Sequence, residues 1–132
     1  KVAFVSHSTF GQPLTSRTKH IRNAVDILKE KKVDFEFDGD MQPDVALNSE
    51  YEELYPFSKI VGKANILIMP GQHSAAISYK MMKTFGDTKV IGPLLIGLGL
   101  PIEIAPLRSS TSELINLASI AAYSADVIDY KK

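Results

Sequence analysis

The sequence contains no cysteine. That absence removes disulfides, thiolate nucleophiles and cysteine-type zinc sites together, and it fits a reducing compartment. An excess of either charge is also missing: fifteen Lys and Arg residues are matched by fifteen Asp and Glu. Without a cationic surplus there is no reason to expect nucleic acid or an anionic membrane as a partner. No apolar run approaches the roughly 20 residues that span a bilayer, and the opening residues do not form a secretory signal. A soluble, cytoplasmic protein is expected. Repeats and low-complexity segments are absent as well.

What is present is material for a core, since 45% of the 132 residues are hydrophobic. This is enough for one domain. The chain opens directly on a strand, Lys1-Val-Ala-Phe-Val5, with neither an initiator Met nor a lead-in, and so reads as a segment of a longer protein.

The organising stretch is Ala64 to Lys80. Ile66–Met69 is wholly apolar, as expected for a strand covered on both faces. Pro70-Gly71 breaks it, and Ser74 to Phe85 reads as a helix with Ala75, Tyr79 and Met82 on one face. In open α/β sheets, ligands settle at such carboxyl-end crests. Around this unit, Val2–Ser6 is the first strand, followed by the polar loop His7–Pro13. A helix is expected from about Ser16 to Lys32, with Ile21, Ala24, Val25 and Leu28 at helical spacing and cations in its last turn. Phe35-Glu-Phe37 alternates as a second strand, and 38–43 reads as a turn cluster. A short helix is expected over Pro43–Leu47. A capping box at Ser49–Glu52 opens another, which Pro56 ends. Short strands are expected at Lys89–Ile91 and Ile102–Ile104. The apolar, Gly- and Pro-rich stretch between them is expected to wrap against the core. Ser110-Thr-Ser-Glu113 is a second capping box, opening a final helix to about Asp126 with Leu114, Leu117, Ala118 and Ala121 on one face. Strands alternating with helices predict an α/β fold with a mostly parallel sheet, in three α/β/α layers.

The candidate chemistry is sparse. His7 and His73 each follow a strand end and can face one cleft, whereas His20 sits on a charged helix face and reads as solvated. No HxxxH or HxH spacing supports a metal. Asp38, Asp40 and Asp44 do not match the calcium-loop template, and turn chemistry accounts for them. Ser6, Ser8 and Thr9, ending in Gly11, form a hydroxyl-rich strand-to-helix loop of the kind that holds phosphate; a polar connection with a cap explains it equally. Arg108-Ser109, ahead of the last helix, is a second anion candidate, against the plainer reading of an exposed arginine beside a serine cap. No G-x-S-x-G elbow or triad is present.

Several stretches together resemble the phosphotransacetylase family. They are Val2-Ala-Phe-Val-Ser-His-Ser-Thr-Phe-Gly11, Asp38-Gly39 with Gln42 and Asp44-Val-Ala46, Gly62 to Pro70, Tyr79-Lys80, Gly92-Pro-Leu-Leu with Gly97-Leu98 and Pro101, and Asn116. The opening, with Asp38-Gly-Asp-Met-Gln42, is most similar to the branch found at the C-terminus of bacterial NADP-dependent malic enzymes. The resemblance implies one lobe of a two-lobed fold, like that of isocitrate and isopropylmalate dehydrogenases, whose cleft binds coenzyme A and acetyl phosphate. Within that pattern Ser6, Ser8, Thr9, Gln42, His73, Arg108 and Ser109 become the candidate ligand-binding residues.

The departures matter as much. The family's motif implies a serine that hydrogen-bonds the leaving thiolate, an arginine that holds phosphate and an aspartate that acts as base. Those places fall here on Pro106, Leu107 and Glu113. His73 and Ala76 stand where the family has asparagines. Losing several groups that contact a transition state, at about 2–4 kcal/mol each, leaves little activity. The resemblance therefore implies a regulatory domain that binds acetyl-CoA, is inactive in acetyl transfer and has no cofactor of its own. NADP and a divalent metal would belong to a malic-enzyme catalytic domain in the same chain, and a homo-oligomer is expected. An active phosphate acetyltransferase using Arg108 and Glu113, and a purely structural dimerisation lobe, are the rival readings.

Overall fold

The structure is a computed structural model that describes residues 1–129. The chain divides into two compact units, Lys1–Lys80 and Met81–Lys132, and one helix runs from the first into the second.

The first unit is built on a parallel sheet in which β1 (Val2–Val5) lies between β2 (Phe37–Met41) and β3 (Ile66–Ile68). Parallel neighbours need a crossover, and α1 (Ser16–Glu30) supplies the one between β1 and β2. A reciprocal cap opens this helix: the Thr18 N–H donates to Thr15 Oγ1 at 3.3 Å, and the Thr15 N–H to Thr18 Oγ1 at 2.8 Å. Thr18 and Val25 form its buried side; of the stripe read from the spacing Val25 is buried, Ile21 and Leu28 are half-buried and Ala24 stays exposed. On the sheet, Ala3 and Val5 point together into a cluster with Met41, Ala46, Ile60 and Ala64. Ala46 belongs to α2 (Pro43–Leu47), which follows β2 as expected. Val25 lies outside that cluster although α1 packs on β1 and β2, so the sheet carries helical layers on both sides.

Three local expectations are corrected here. The second strand is not Phe35–Phe37 but Phe37–Met41, and the supposed turn cluster is most of it. Asp38 can lie in a sheet because its carboxylate accepts the Gly39 N–H at 2.9 Å and the Lys59 N–H at 2.7 Å, leaving its charge paired where it is buried. Second, the turn of 3-10 helix over Ser49–Glu53 is capped by Asn48 and not by Ser49, Asn48 Oδ1 accepting the Glu50 N–H at 3.1 Å. Third, β3 is not covered on both faces, for Ile66 is 49% and Ile68 42% exposed. It is the margin of the three-stranded sheet, with no further strand paired to it among the described residues.

α3 (Gln72–Phe85) starts two residues before the expected Ser74, with Ala75 and Tyr79 half-buried and Met82 exposed. In the second unit the strands expected at 89–91 and 102–104 do not form, and residues 87–110 hold neither helix nor strand. A three-residue apolar segment becomes a strand only when a ladder satisfies its backbone groups. None of the described residues pairs with either segment. The glycine- and proline-rich stretch between them does not wrap against a core either: Ile96 is 90% and Leu100 70% exposed. α4 (Thr111–Asp129) closes the unit. Its stripe is buried at Leu117 and half-buried at Ala121, while Leu114 and Ala118 remain exposed.

Candidate functional site

The loop after β1 is held by a residue of β2. The β1–β2 register is regular up to Phe4 opposite Gly39 and then shifts, so that Val5 opposes Met41 and Asp40 has no partner across the ladder. Such a bulge frees a residue to point elsewhere. Asp40 is fully buried, and its Oδ2 accepts the Ser8 hydroxyl and, at 3.3 Å, the Gly11 N–H. Its carbonyl accepts the Phe10 N–H at 2.6 Å. Gly39 makes the approach possible, since a Cβ there would stand 2.6 Å from the Phe4 carbonyl oxygen. One carboxylate thus gathers the whole serine-rich loop.

The loop's other groups are also engaged. Ser6 Oγ lies 3.2 Å from Ser8 Oγ, the Gln42 N–H donates to Thr9 Oγ1 at 3.2 Å, and Gln42 Nε2 donates to the His7 carbonyl at 3.2 Å. Phe10 packs on Tyr55 and Phe57, with ring centroids 5.4 and 4.8 Å away. Four predicted residues, Ser6, Ser8, Thr9 and Gln42, therefore belong to one hydrogen-bonded unit. Ser8, with no exposed surface, supports it from beneath.

Beside this loop opens a cleft of about 650 Å³, within the usual range for small-molecule sites. It lies at the carboxyl ends of β1 and β3, where the crest after Met69 was expected to place a ligand. Val5, Ile21, Pro43 and Met69 give it apolar walls, and Ser6, Gln72 and Ser74 add polar groups. Arg17 supplies a permanent positive charge to its lining, which also holds His7, His20 and His73, all three histidines of the chain, and no Asp or Glu lines it. His7 and His73 thus share one cleft as anticipated. Arg17 and His20 were missed because they sit three apart on α1, and a charged helix face resembles any solvated surface. The missed role of Asp40 had a signal: alternation begun at Phe35 and Phe37 continues through Gly39 to Met41. Among the described residues, no group of three His, Asp or Glu side chains is placed to hold a metal.

Arg108, Ser109, Pro106, Leu107 and Glu113 lie in the second unit. Residues 106–109 form a tight turn in which both the N–H and the hydroxyl of Ser109 donate to the Pro106 carbonyl, at 3.0 and 2.8 Å. Leu107 is fully exposed. Glu113 closes the predicted capping box: its carboxylate accepts the Ser110 N–H at 2.7 Å, and its own N–H donates to Ser110 Oγ at 3.3 Å. Lys83 Nζ adds a contact at 2.5 Å. The Lys83 hydrogen bond first, then the Ser110 N–H and hydroxyl, hold the Glu113 carboxyl down from 4.5 to about 2. A group of such low proton affinity is a poor base for a thiol, which ordinarily ionises near ~8.5. Pro106, Ser109, Glu113 and Asn116 border a space of only about 10 Å³, room for no more than a water molecule.

The sequence profile of a family described as phosphate acetyl/butaryl transferase matches residues 1–122. The chain is 50% identical over 125 residues to an NADP-dependent malic enzyme of Rhizobium meliloti (strain 1021), covering 95% of this chain and 16% of that protein. It is 34% identical over 126 residues to a phosphate acetyltransferase of Clostridium acetobutylicum, covering 95% of this chain and 38% of that one. Among solved structures, a phosphotransacetylase from Streptococcus pyogenes matches with a TM-score of 0.86 at 32% identity, over 95% of this chain and 38% of its own. The chain spans well under half the length of each of these relatives.

Proposed function

We propose that this chain, which belongs to the phosphate acetyl/butaryl transferase family, serves as the phosphotransacetylase-like regulatory domain of an NADP-dependent malic enzyme. In this reading it binds acetyl-CoA as an allosteric inhibitor and carries out no acetyl transfer. The parent protein converts malate to pyruvate and CO2 in the cytoplasm as a homo-oligomer, and its NADP and divalent metal are bound outside this chain.

The observation that carries the reading is the state of the three positions where the family's motif implies chemistry. Pro106 has no hydroxyl, Leu107 has no charge, and Glu113 is occupied by its helix cap and by Lys83. The likeness to malic enzymes of Rhizobium and of Rickettsia prowazekii, at 50% and 40% identity, supports the choice of parent. The cleft beside Ser6 remains as a place for a ligand, with Arg17 and the histidines suited to phosphate groups.

The test is to titrate acetyl-CoA into the intact protein while following NADPH formation from malate. Turnover is expected to fall as the ester saturates its site, and malate turnover unchanged at saturating acetyl-CoA overturns the reading. An assay with acetyl phosphate and CoA complements it. Acetyl-CoA formation above background would establish the transferase reading instead.

A further inference from the structure

We propose that a second small-molecule site lies at the amino end of the sheet, and that it takes a flat aromatic carboxylate of one or two rings. It is separate from the cleft at the carboxyl ends of β1 and β3 and does not rest on the function proposed above.

The site is a space of about 240 Å³ enclosed by the end of α1, the start of β2 and the connection that leads to β3. That volume lies below the range of drug-sized pockets, so it suits a smaller ligand. Its floor is apolar: Val33, Phe35 and Phe37, the two rings meeting edge to face with centroids 6.1 Å apart at 66°. Phe35 is 44% exposed, which leaves an aromatic surface that a second flat ring would cover. Three lysines form the rim. Lys29 and Lys32 come from the end of α1, and Lys59 comes from the connection, where the buried Asp38 carboxylate accepts its N–H at 2.7 Å. Lys29 is shared with Asp26 at 2.7 Å, whereas Lys32 and Lys59 form no ion pair among the described residues. Glu36 is the single carboxylate of the lining. It is already engaged, accepting the Val61 N–H at 3.3 Å and lying 3.7 Å from Lys1 Nζ.

Lys32 gives an independent sign that this rim serves a ligand. It follows the last residue of the α1 cap with φ +48°, in the left-handed conformation that glycine adopts without cost. The helix end does not require a lysine there. Backbone groups close it, the Lys31 N–H donating to the Leu28 carbonyl at 3.1 Å and the Lys32 N–H to the Lys29 carbonyl at 3.4 Å. Lys29 in the last turn already complements the helix dipole. A strained lysine beside an aromatic floor is thus unexplained by the fold, and strain of this kind gathers at binding sites. A bare anion would satisfy the lysines and leave the rings uncovered, and a neutral ring would do the reverse. An aromatic carboxylate meets both.

Calorimetry of 2-naphthoate binding to the intact protein at neutral pH and low salt tests this, beside 2-naphthamide and acetate. Naphthoate is expected to bind saturably, the uncharged amide about fivefold or more weakly, and acetate not at all. Lys32→Gly should weaken naphthoate about fivefold while leaving the urea midpoint unchanged or higher, since glycine relieves the strain. Lys59→Met should weaken it similarly and keep the fold, because the bond to Asp38 is made by the main chain. No saturable naphthoate binding, an amide that binds as tightly as the acid, or either variant binding like the parent overturns the proposal. A fall in the urea midpoint of Lys32→Gly also overturns it, by showing that the lysine side chain is kept to hold the helix end.

Discussion

Two carboxylates in this molecule do the same local job in opposite surroundings. Asp40 and Glu113 each accept a serine hydroxyl and a backbone N–H, and each fixes the residues ahead of a helix. Asp40 does so with no exposed surface, and its Oδ1 has no hydrogen-bond partner among the described residues. Glu113 does so in contact with water and shares its charge with an exposed lysine. Burial makes the first arrangement structural, because the groups it satisfies cannot turn to solvent instead. Partial exposure makes the second easier to replace. The cleft stands beside the buried carboxylate, whereas the positions of the family's motif fall around the half-buried one, where Pro106 has no hydroxyl and Leu107 no charge. The regulatory function proposed above accordingly looks to the loop beside the cleft and not to the turn at 106–109.

The largest expected effect is that of Asp40→Ala. It leaves the buried Ser8 hydroxyl and the half-buried Gly11 N–H unpaired, for a loss of about 2–4 kcal/mol in urea denaturation. Asp40→Asn keeps one acceptor oxygen and should cost less. If Asp40→Ala proves as mild as Glu113→Ala, the contrast between the two sites collapses. Gly39→Ala comes next. The added methyl meets the Phe4 carbonyl oxygen at 2.6 Å on a rigid strand, at φ +155°, so a loss of about 1–3 kcal/mol is expected. It should also weaken acetyl-CoA binding, because the bulge that places Asp40 begins there. A stable Gly39→Ala protein with unchanged binding would show that the loop does not depend on the bulge.

How much of this was legible beforehand depended on whether the determinant was local. The first strand, α1, the crest after Met69 and the Ser110–Glu113 cap were readable from periodicity and capping pattern, which act within a few residues. The second strand was not, because Asp38-Gly39 looks like a turn until Lys59, distant in sequence, is seen to pair the Asp38 carboxylate. Three more failures share one cause. β3 lacks cover, and the apolar segments at 89–91 and 102–104 have no ladder partner among the described residues, so apolar composition alone overstated their burial. For the site, His7 and His73 could be paired by their places after two strands. Arg17 and His20 could not, since joining them to the crest requires knowing how α1 lies across the sheet.

The smallest expected effect concerns Glu113, and its sign is fixed by the direction of its shift. The folded chain holds this carboxyl at about 2 against an ordinary 4.5, so the folded state binds the proton more weakly than the unfolded one. Its contribution to stability is therefore complete above the ordinary value and is lost as pH falls toward about 2. Comparing the parent with Glu113→Gln by chemical denaturation isolates that contribution. The difference should be flat through neutral pH, shrink below 4.5 and vanish near 2. Because both Lys83 and Glu113 meet solvent, high salt should reduce the difference at neutral pH as well. A difference that grows on acidification contradicts the sign. One that ignores salt shows that the Ser110 cap alone holds the carboxylate and that Lys83 is incidental. The second result still leaves Glu113 a poor base, because a carboxylate held at about 2 has little proton affinity with which to activate a thiol, whereas the first would remove that objection.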